Sequence, residues 1–534
     1  MKLKSVIIPF LASILCCSCI ENDLPYPTVV PKFKSISVEG ADTVSIDATA
    51  RKISVVLNEE TDISKVKISD VSFDNSMTVR MSPELNGTFN LKEKLDFTLS
   101  TYQDYAWTLE TTQPIDYWFS VEKQVGEATV DDVNHRVVAK VGKGTRLSNI
   151  KVVSYKLGPV RISSYSKELY DITDFSEPVF VDVTAWGKST RWTIFIEESD
   201  ISVEFKSVDA WTRVAYLAAS GVAGRENGFR YRKEGETQWI EVPVSQIVFV
   251  GGNFSAVLDG LEPLTAYECL AYSGSDESDI RRFTTEAEQQ LPNSGFEIYS
   301  NAESKNYYSW WDAQSSLCNT KWWDSGNQGS TMVGESAAIC TPDTKDKAEG
   351  KTSARLNSRY VVIKFAAGNI FCGEFAGLEG LSGGKVNFGR PFTLRPRKLS
   401  LMLKYQPGNI DNINGCPEGE KVAMGDPDRC QIYIALGTWD HKKYGGTADS
   451  PVQVNTTRKE TFFNPNGPDV IGYGTFITNK NTGGWTRVEI PIEYKSTSKM
   501  PTHIIVSCAA SMLGDYFTGA SSSTLWLDDF KLEY

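Results

Sequence analysis

Between Phe33 and Glu198, apolar residues recur at every second position over short stretches. Ile53-Ser-Val-Val-Leu57, Val66-Lys-Ile68 and Phe97-Thr-Leu99 show the period, with β-branched enrichment and Asn, Asp, Gly and Pro between them. Successive side chains of a strand point to opposite faces, so this pattern predicts half-buried strands. No amphipathic run exceeds about three helical turns. The same writing continues in Leu399-Ser-Leu-Met-Leu-Lys-Tyr405, Gln431-Ile-Tyr-Ile-Ala-Leu436 and His503-Ile-Ile-Val-Ser-Cys508, there separated by long Gly/Asn/Asp loops. The predicted fold class is all-β.

The pattern also repeats. Ile63-Ser-Lys-Val-Lys-Ile68 returns as Leu147-Ser-Asn-Ile-Lys-Val152, and Tyr105-Ala-Trp107-Thr-Leu109 as Thr190-Arg-Trp192-Thr-Ile194, about 85 residues later. A unit of that length closes its own small sandwich, which predicts tandem domains over 34–115 and 116–199. Trp107 and Trp192 hold matching strand positions and are expected as core anchors. The pair resembles the immunoglobulin-like modules near the N-terminus of Bacteroidota surface lipoproteins. Residues 200–287 carry a different signature, Leu261-Glu-Pro263-Leu-Thr265-Ala-Tyr267, preceded by Phe229-Arg-Tyr231 and Trp239. This resembles the tyrosine corner of fibronectin type III domains, which implies a buried Tyr267 with its hydroxyl bonded to backbone near Leu261 or Glu262, and Trp239 in that module's core.

Residues 288–534 hold Trp310, Trp311, Trp322, Trp323, Trp439, Trp485 and Trp526, and read as one large jelly-roll sandwich with long loops. The segment opens with Leu291-Pro-Asn293-Ser-Gly295-Phe296-Glu297, contains Gly350-Lys-Thr-Ser-Ala354-Arg-Leu356, and closes with Leu525-Trp-Leu-Asp528-Asp529-Phe530. That frame is similar to carbohydrate-binding jelly rolls, and the resemblance implies a structural Ca2+ held by Glu297, Asp528 and backbone near Lys351. Calcium takes six to eight hard oxygen ligands, which suits the two carboxylates. Lys321-Trp-Trp323-Asp-Ser-Gly-Asn327 and Ser511-Met-Leu-Gly514-Asp515-Tyr-Phe517-Thr-Gly519 resemble the putative carbohydrate metabolism domain of Bacteroidota, which implies association with glycans.

Sugars present apolar C–H faces and rings of hydroxyls, so an aromatic plane beside amides and carboxylates suits them. Trp310, Trp311, Trp322 and Trp323, with Asp324 and Asn327, supply both kinds of group. In strands, each Trp-Trp pair is expected to send one ring inward and one outward. Trp439, Asp440 and Tyr444 form a second expected platform in a Gly-bounded loop.

The N-terminus reads as an export signal over 1–18. Lys2 and Lys4 precede a short apolar run from Val6 to Leu15, and Ser18-Cys19 resembles a lipoprotein lipobox. Cys19 is the expected lipidation site, with Cys17 next in line, and 19–33 an acidic tether of the kind that favours display outside the outer membrane. Outer-membrane lipid is then one partner, an extracellular polysaccharide or oligosaccharide a second, and other surface glycan-uptake proteins a third. Three sandwiches in series would place the C-terminal head about 100 Å from the lipid.

Composition narrows the classes. A net charge of −12, without a Lys/Arg cluster, argues against nucleic acid, whose binders neutralise phosphate with a basic face. Seven cysteines follow Cys19, an odd number, so at least one stays free in a monomer, while Cys416 and Cys430 flank a Pro/Gly-rich loop that a disulfide would staple. Asp312, Asp324, Glu374, Asp440 and Asp515 are the loop acids available to a glycoside hydrolase, but no spacing pairs them. His135, His441 and His503 are scattered, and no metalloprotease, nucleophile-elbow or phosphate-loop motif occurs. The expected function is glycan binding at the cell surface as part of polysaccharide capture. A carbohydrate-active enzyme and an adhesin or stalk component with a protein partner remain as alternatives.

Overall fold

The computed structural model of the chain describes residues 30–74, 78–362, 364–380, 382–417 and 419–534. Cys19 and the export segment lie outside the described residues. The fold is all-β: strands follow one another from Phe33 to Glu533, with helices of three or four residues between some of them. No helix among the described residues is long and apolar enough to cross a membrane. The chain divides into two compact units, Met1–Ile201 with Val222–Gly224, and Ser202–Gly221 with Arg225–Tyr534.

The first unit repeats one strand order. Ala41–Asp47, Lys52–Leu57, Asp104–Thr112, Leu95–Ser100 and Arg80–Ser82 form a sheet in that order. Thr129–Asp131, Arg136–Val141, Lys188–Glu198, Val179–Ala185 and Ser164–Tyr165 form its counterpart. In both, the second strand of a hairpin runs parallel to the tryptophan-bearing strand. Trp107 and Trp192 are 1% and 3% exposed, one in each core. Burying a tryptophan removes about 200 Å² from water, on the order of 5 kcal/mol at about 25 cal/mol per Å². The repeat in the sequence is therefore a repeat of core and topology.

In the second unit, Val203–Ala210, Val214–Gly221, Asn253–Asp259 and Ile247–Val250 form one sheet. Ile240–Glu241, Asn227–Lys233, Ala266–Ser273 and Asp276–Glu277 form another, with Arg281–Thr284 also paired to Ala266–Ser273. Their shared core includes Phe205, Phe229, Leu258 and Tyr267. The Tyr267 hydroxyl accepts the Glu262 N–H at 3.0 Å. Trp239 departs from expectation: it is half-buried outside this core, with the Arg232 guanidinium 4.2 Å over its ring. It enters the two-residue edge strand Ile240–Glu241, beyond which the sheet has no further strand to cover it.

The C-terminal sandwich has two sheets. The larger runs Val452–Asn455, Gly383–Phe388, Asn369–Glu379, His503–Ala509, Cys430–Gly437, Val470–Thr478, Glu493–Tyr494. The smaller runs Cys340–Asp343, Ser353–Asn357, Thr524–Glu533, Lys398–Gln406, Thr486–Pro491. Ile432, Ile434, Leu436, Ile504, Val506, Leu401, Leu403, Leu525 and Leu527 point into one core. The seven cysteines among the described residues are free, so no disulfide joins Cys416 to Cys430; Cys416 Sγ instead donates to the Glu420 carbonyl. A β-bulge in Thr524–Glu533 shifts the register between Ser400 and Met402 opposite, with Asp529 at φ 46°. Inward positions change phase there, from Leu525 and Leu527 to Phe530 and Leu532, and the extra residue leaves Asp528 fully buried.

Candidate functional site

The two Trp-Trp pairs divide. Trp310 and Trp323 are buried in the core against Phe296, with ring centroids at 5.3 and 5.4 Å. Trp310 Nε1 donates to Cys340 Sγ at 3.3 Å and Trp323 Nε1 to the Pro292 carbonyl at 2.8 Å, so neither ring keeps a face for a sugar. Trp311 and Trp322 are half-buried. Trp322 Nε1 is spent on Cys372 Sγ at 3.2 Å, and part of its ring packs on the core. Trp311 lies beside Glu303, to whose Oε1 its Nε1 points at 3.4 Å. Of the five tryptophans expected as contact residues, these two alone keep open surface.

Lys321 knits this region. Its ammonium lies 3.1 Å from Glu303 Oε1 and 2.8 Å from Asp324 Oδ2. Burial works to raise Glu303, but the Ser309 hydroxyl and Lys321 outweigh it and hold its carboxyl below the ordinary range. Asp324 is buried and accepts the Phe375 N–H at 2.7 Å and the Ser325 N–H at 2.8 Å. Asn327 is buried as well: its Oδ1 accepts the N–H groups of Ile339 and Cys340 at 2.9 Å, and its Nδ2 donates to the Cys340 carbonyl at 2.6 Å. Asp324 and Asn327 therefore shape the loop beneath the rings, while Trp311, Tyr307, Glu303 and Lys321 form what a ligand could reach. Glu303 escapes a reading by Trp-Trp pairs because its segment has no strand period.

The second expected platform is closed. Trp439 is 5% exposed and packs on Phe463 at 6.1 Å. Gly437 makes room for it, since a Cβ there would stand 2.6 Å from the indole ring. Asp440 is exposed, but it caps the short helix His441–Tyr444 by accepting the Lys442 N–H at 3.0 Å. The Tyr444 hydroxyl donates to Asp469 at 2.6 Å. These three residues meet here as structure, not as an open aromatic plane.

Glu297 and Asp528 come together as the metal reading requires, though the loop 348–352 turns N–H groups towards them. Glu297 Oε1 accepts the Lys351 N–H at 2.8 Å, and Asp528 Oδ2 accepts those of Ala348 at 2.9 Å and Glu349 at 3.0 Å. Gly350, at φ 58°, leaves the space that the Glu297 carboxylate fills. Burial pushes the Asp528 carboxyl up, and the Glu297 charge adds to this against the pull of the backbone donors. Two carboxylates crowded in this way suit a cation. No group of three or more His, Cys, Asp or Glu positioned for a metal occurs among the described residues, so loop carbonyls would have to complete any calcium shell.

The outer face of the larger sheet holds a second aromatic surface. Ile432 and Ile434 point inward, so Gln431, Tyr433 and Ala435 point outward. Register places Phe371, Ser507, Tyr433 and Thr475 in one row across four strands. Phe463 stacks on Tyr433 with ring centroids 5.3 Å apart and planes 9° apart, and Tyr473 lies 6.1 Å from Tyr433. Phe462 meets Tyr516 edge-on at 5.0 Å. None of these five rings is sealed: Tyr433, Phe462, Phe463, Tyr473 and Tyr516 are each half-buried. The signal was available in Gln431-Ile-Tyr-Ile, where an aromatic holds the parity opposite to the core.

Residues 295–533 match the family described as the putative carbohydrate metabolism domain. Among solved structures, the chain is similar to a putative glycoside hydrolase from Bacteroides thetaiotaomicron, at 17% identity over 78% of this chain and 95% of that one, with a TM-score of 0.31. It is also similar to a putative glycoside hydrolase from Bacteroides vulgatus, at 22% identity over 45% and 96%, with a TM-score of 0.33. No curated protein matches the chain.

Proposed function

We propose that the chain is a lipid-anchored surface protein that holds an extracellular glycan with its C-terminal domain, as part of polysaccharide capture. The observation that carries this reading is the match of 295–533 to a carbohydrate domain family. The half-open Trp311 ring beside Glu303 and Lys321 supports it, since an aromatic face next to charged hydrogen-bonding groups suits a sugar's C–H face and hydroxyls. Glu303 and Asp324 are both engaged by Lys321, so they are better placed to position a ligand than to act as two free acids on opposite sides of a glycosidic bond. In this reading Cys19 carries the lipid, the repeats of the first unit and the third sandwich are immunoglobulin-like and fibronectin-like spacers, and Glu297 and Asp528 hold a structural calcium ion.

The test is retention of the purified chain in gels containing different polysaccharides, with released sugar measured in parallel. Trp311→Ala should weaken binding at least tenfold, about 1.4 kcal/mol, while the melting temperature stays near the parent's. Undiminished binding by a folded Trp311→Ala protein would remove this surface from the reading, and released reducing sugar would move the hydrolase ahead.

A further inference from the structure

In the third sandwich, the strand Ile247–Val250 ends its sheet and pairs on one side only, with Asn253–Asp259. Ile247 is buried, but Val248, Phe249 and Val250 are 62%, 45% and 61% exposed. Ile240 and Val244, which lead into this strand, and Val257 on its neighbour are exposed as well. Phe249 lies opposite Phe254 of the core, with ring centroids 6.2 Å apart. Val248 and Val250 take the other face of the sheet, which Val257 shares.

This edge is also uncharged. Residues 242–258 contain no Asp, Glu, Lys or Arg, in a chain of which 23% is charged. The other edges of the same sandwich differ. Val203–Ala210 carries Glu204, Lys206 and Asp209, and Arg281–Thr284 opens with two arginines. Ile240–Glu241 and Asp276–Glu277 are two residues long and hold acids. Charges and very short strands keep a sheet edge from pairing with another chain, and Ile247–Val250 has no charge to do so.

Its main chain is available too. The Gly251-Gly252 turn has two residues, with Gly251 at φ 60°, and the Val250–Asn253 pair closes it. Bonded and non-bonded pairs alternate in an antiparallel ladder. Val248 and Val250 therefore turn their N–H and C=O groups towards Asn253–Asp259, and Phe249 turns its own to the open side.

We infer that this edge is a pairing surface for a second copy of the chain, whose Ile247–Val250 adds antiparallel about a two-fold axis at Phe249. The sequence singles out that occupant. Val248-Phe249-Val250 reads the same in both directions, so the axis sets Phe249 against the second copy's Phe249, and Val248 against its Val250. Each Phe249 N–H donates to the other Phe249 carbonyl, an aromatic faces an aromatic, and a β-branched side chain faces a β-branched one. Chains of net charge −12 repel one another, and an uncharged edge is where two of them meet with the least repulsion. The two four-stranded sheets become one. So short a strand makes a small interface, and association is weak and concentration-dependent. A pair presents two C-terminal domains to one polymer and gains avidity; that consequence rests on the glycan reading, while the pairing does not.

The experiment is sedimentation velocity of the purified chain over about 1 to 100 μM, the range in which small interfaces associate. Parent, Val248→Lys, Val250→Glu and an equal mixture of the two variants are compared, with melting temperatures as the folding control. The parent should pass from monomer to dimer as concentration rises. Each variant alone should associate at least tenfold more weakly and melt as the parent does. The mixture should recover association, because the two-fold register sets the lysine of one chain against the glutamate of the other. Protection of the Phe249 amide from hydrogen exchange should rise with parent concentration, a readout that needs no substitution. A parent that stays monomeric throughout overturns the inference, and leaves the edge to a strand of another protein. A dimer that both variants form as well as the parent does, or a Phe249 amide that exchanges equally fast at both ends of the range, also overturns it. A mixture that associates no better than either variant alone overturns the two-fold register at Phe249.

Discussion

Tyr267 shows how one side chain settles a corner. Its ring stacks on Phe283 with centroids 5.5 Å apart, and its hydroxyl gives the Glu262 N–H an acceptor where water is excluded. Tyr267→Phe keeps the ring and removes the acceptor. The expected cost is about 1–3 kcal/mol, read from the denaturant midpoint, because an unsatisfied buried donor loses its full solvation. A change within about 0.5 kcal/mol would mean that water replaces the hydroxyl. The same residue-scale logic separates Trp310 from Trp311. Adjacent in sequence and alike in chemistry, one is sealed against Phe296 and the other is left half-open beside Glu303.

At the scale of elements, the bulge in Thr524–Glu533 matters most. It turns Asp528 inward, beside Glu297 from the segment that opens the domain, and both acids are then bound by the loop 348–352. Without a cation, the raised Asp528 carboxyl favours the folded state more when protonated, so stability from this group is gained as pH falls; a bound cation reverses that sign. If calcium fills the place, a chelator should lower the domain's melting temperature, and Asp528→Asn should abolish the sensitivity, since a metal bound by the native state stabilises it by mass action. A melt unchanged by chelator, with no metal in elemental analysis, would remove calcium from the account.

At the scale of the whole second unit, Arg395 joins the third sandwich to the C-terminal one. Its guanidinium is 2.5 Å from Glu286 Oε1 and donates to the carbonyls of Ala210 at 2.7 Å and Thr497 at 2.5 Å. It also lies over the Trp211 ring, which packs on Tyr494 at 4.6 Å. Arg395→Ala leaves Glu286 buried without its cation and should cost about 3–5 kcal/mol. Calorimetry should then resolve two transitions where the parent shows one for this unit. Arg395→Lys keeps the charge but not the planar fork, and should recover only part of the loss. A single, unshifted transition in Arg395→Ala would show that the aromatic contact alone carries the joint.

The strand pattern, the burial of Trp107 and Trp192, and the bond between the Glu262 N–H and Tyr267 were legible in the sequence, because each rests on a period or spacing within a few residues. The likeness of 295–533 to the putative carbohydrate metabolism domain was legible in short motifs. Which rings stay open was not. Trp439 is sealed by the space at Gly437 and by Phe463 from a separate loop, and Trp239 lies outside its core because a sheet ends beside it. Period tells which face a side chain takes, and only the packing of distant segments decides whether that face is covered.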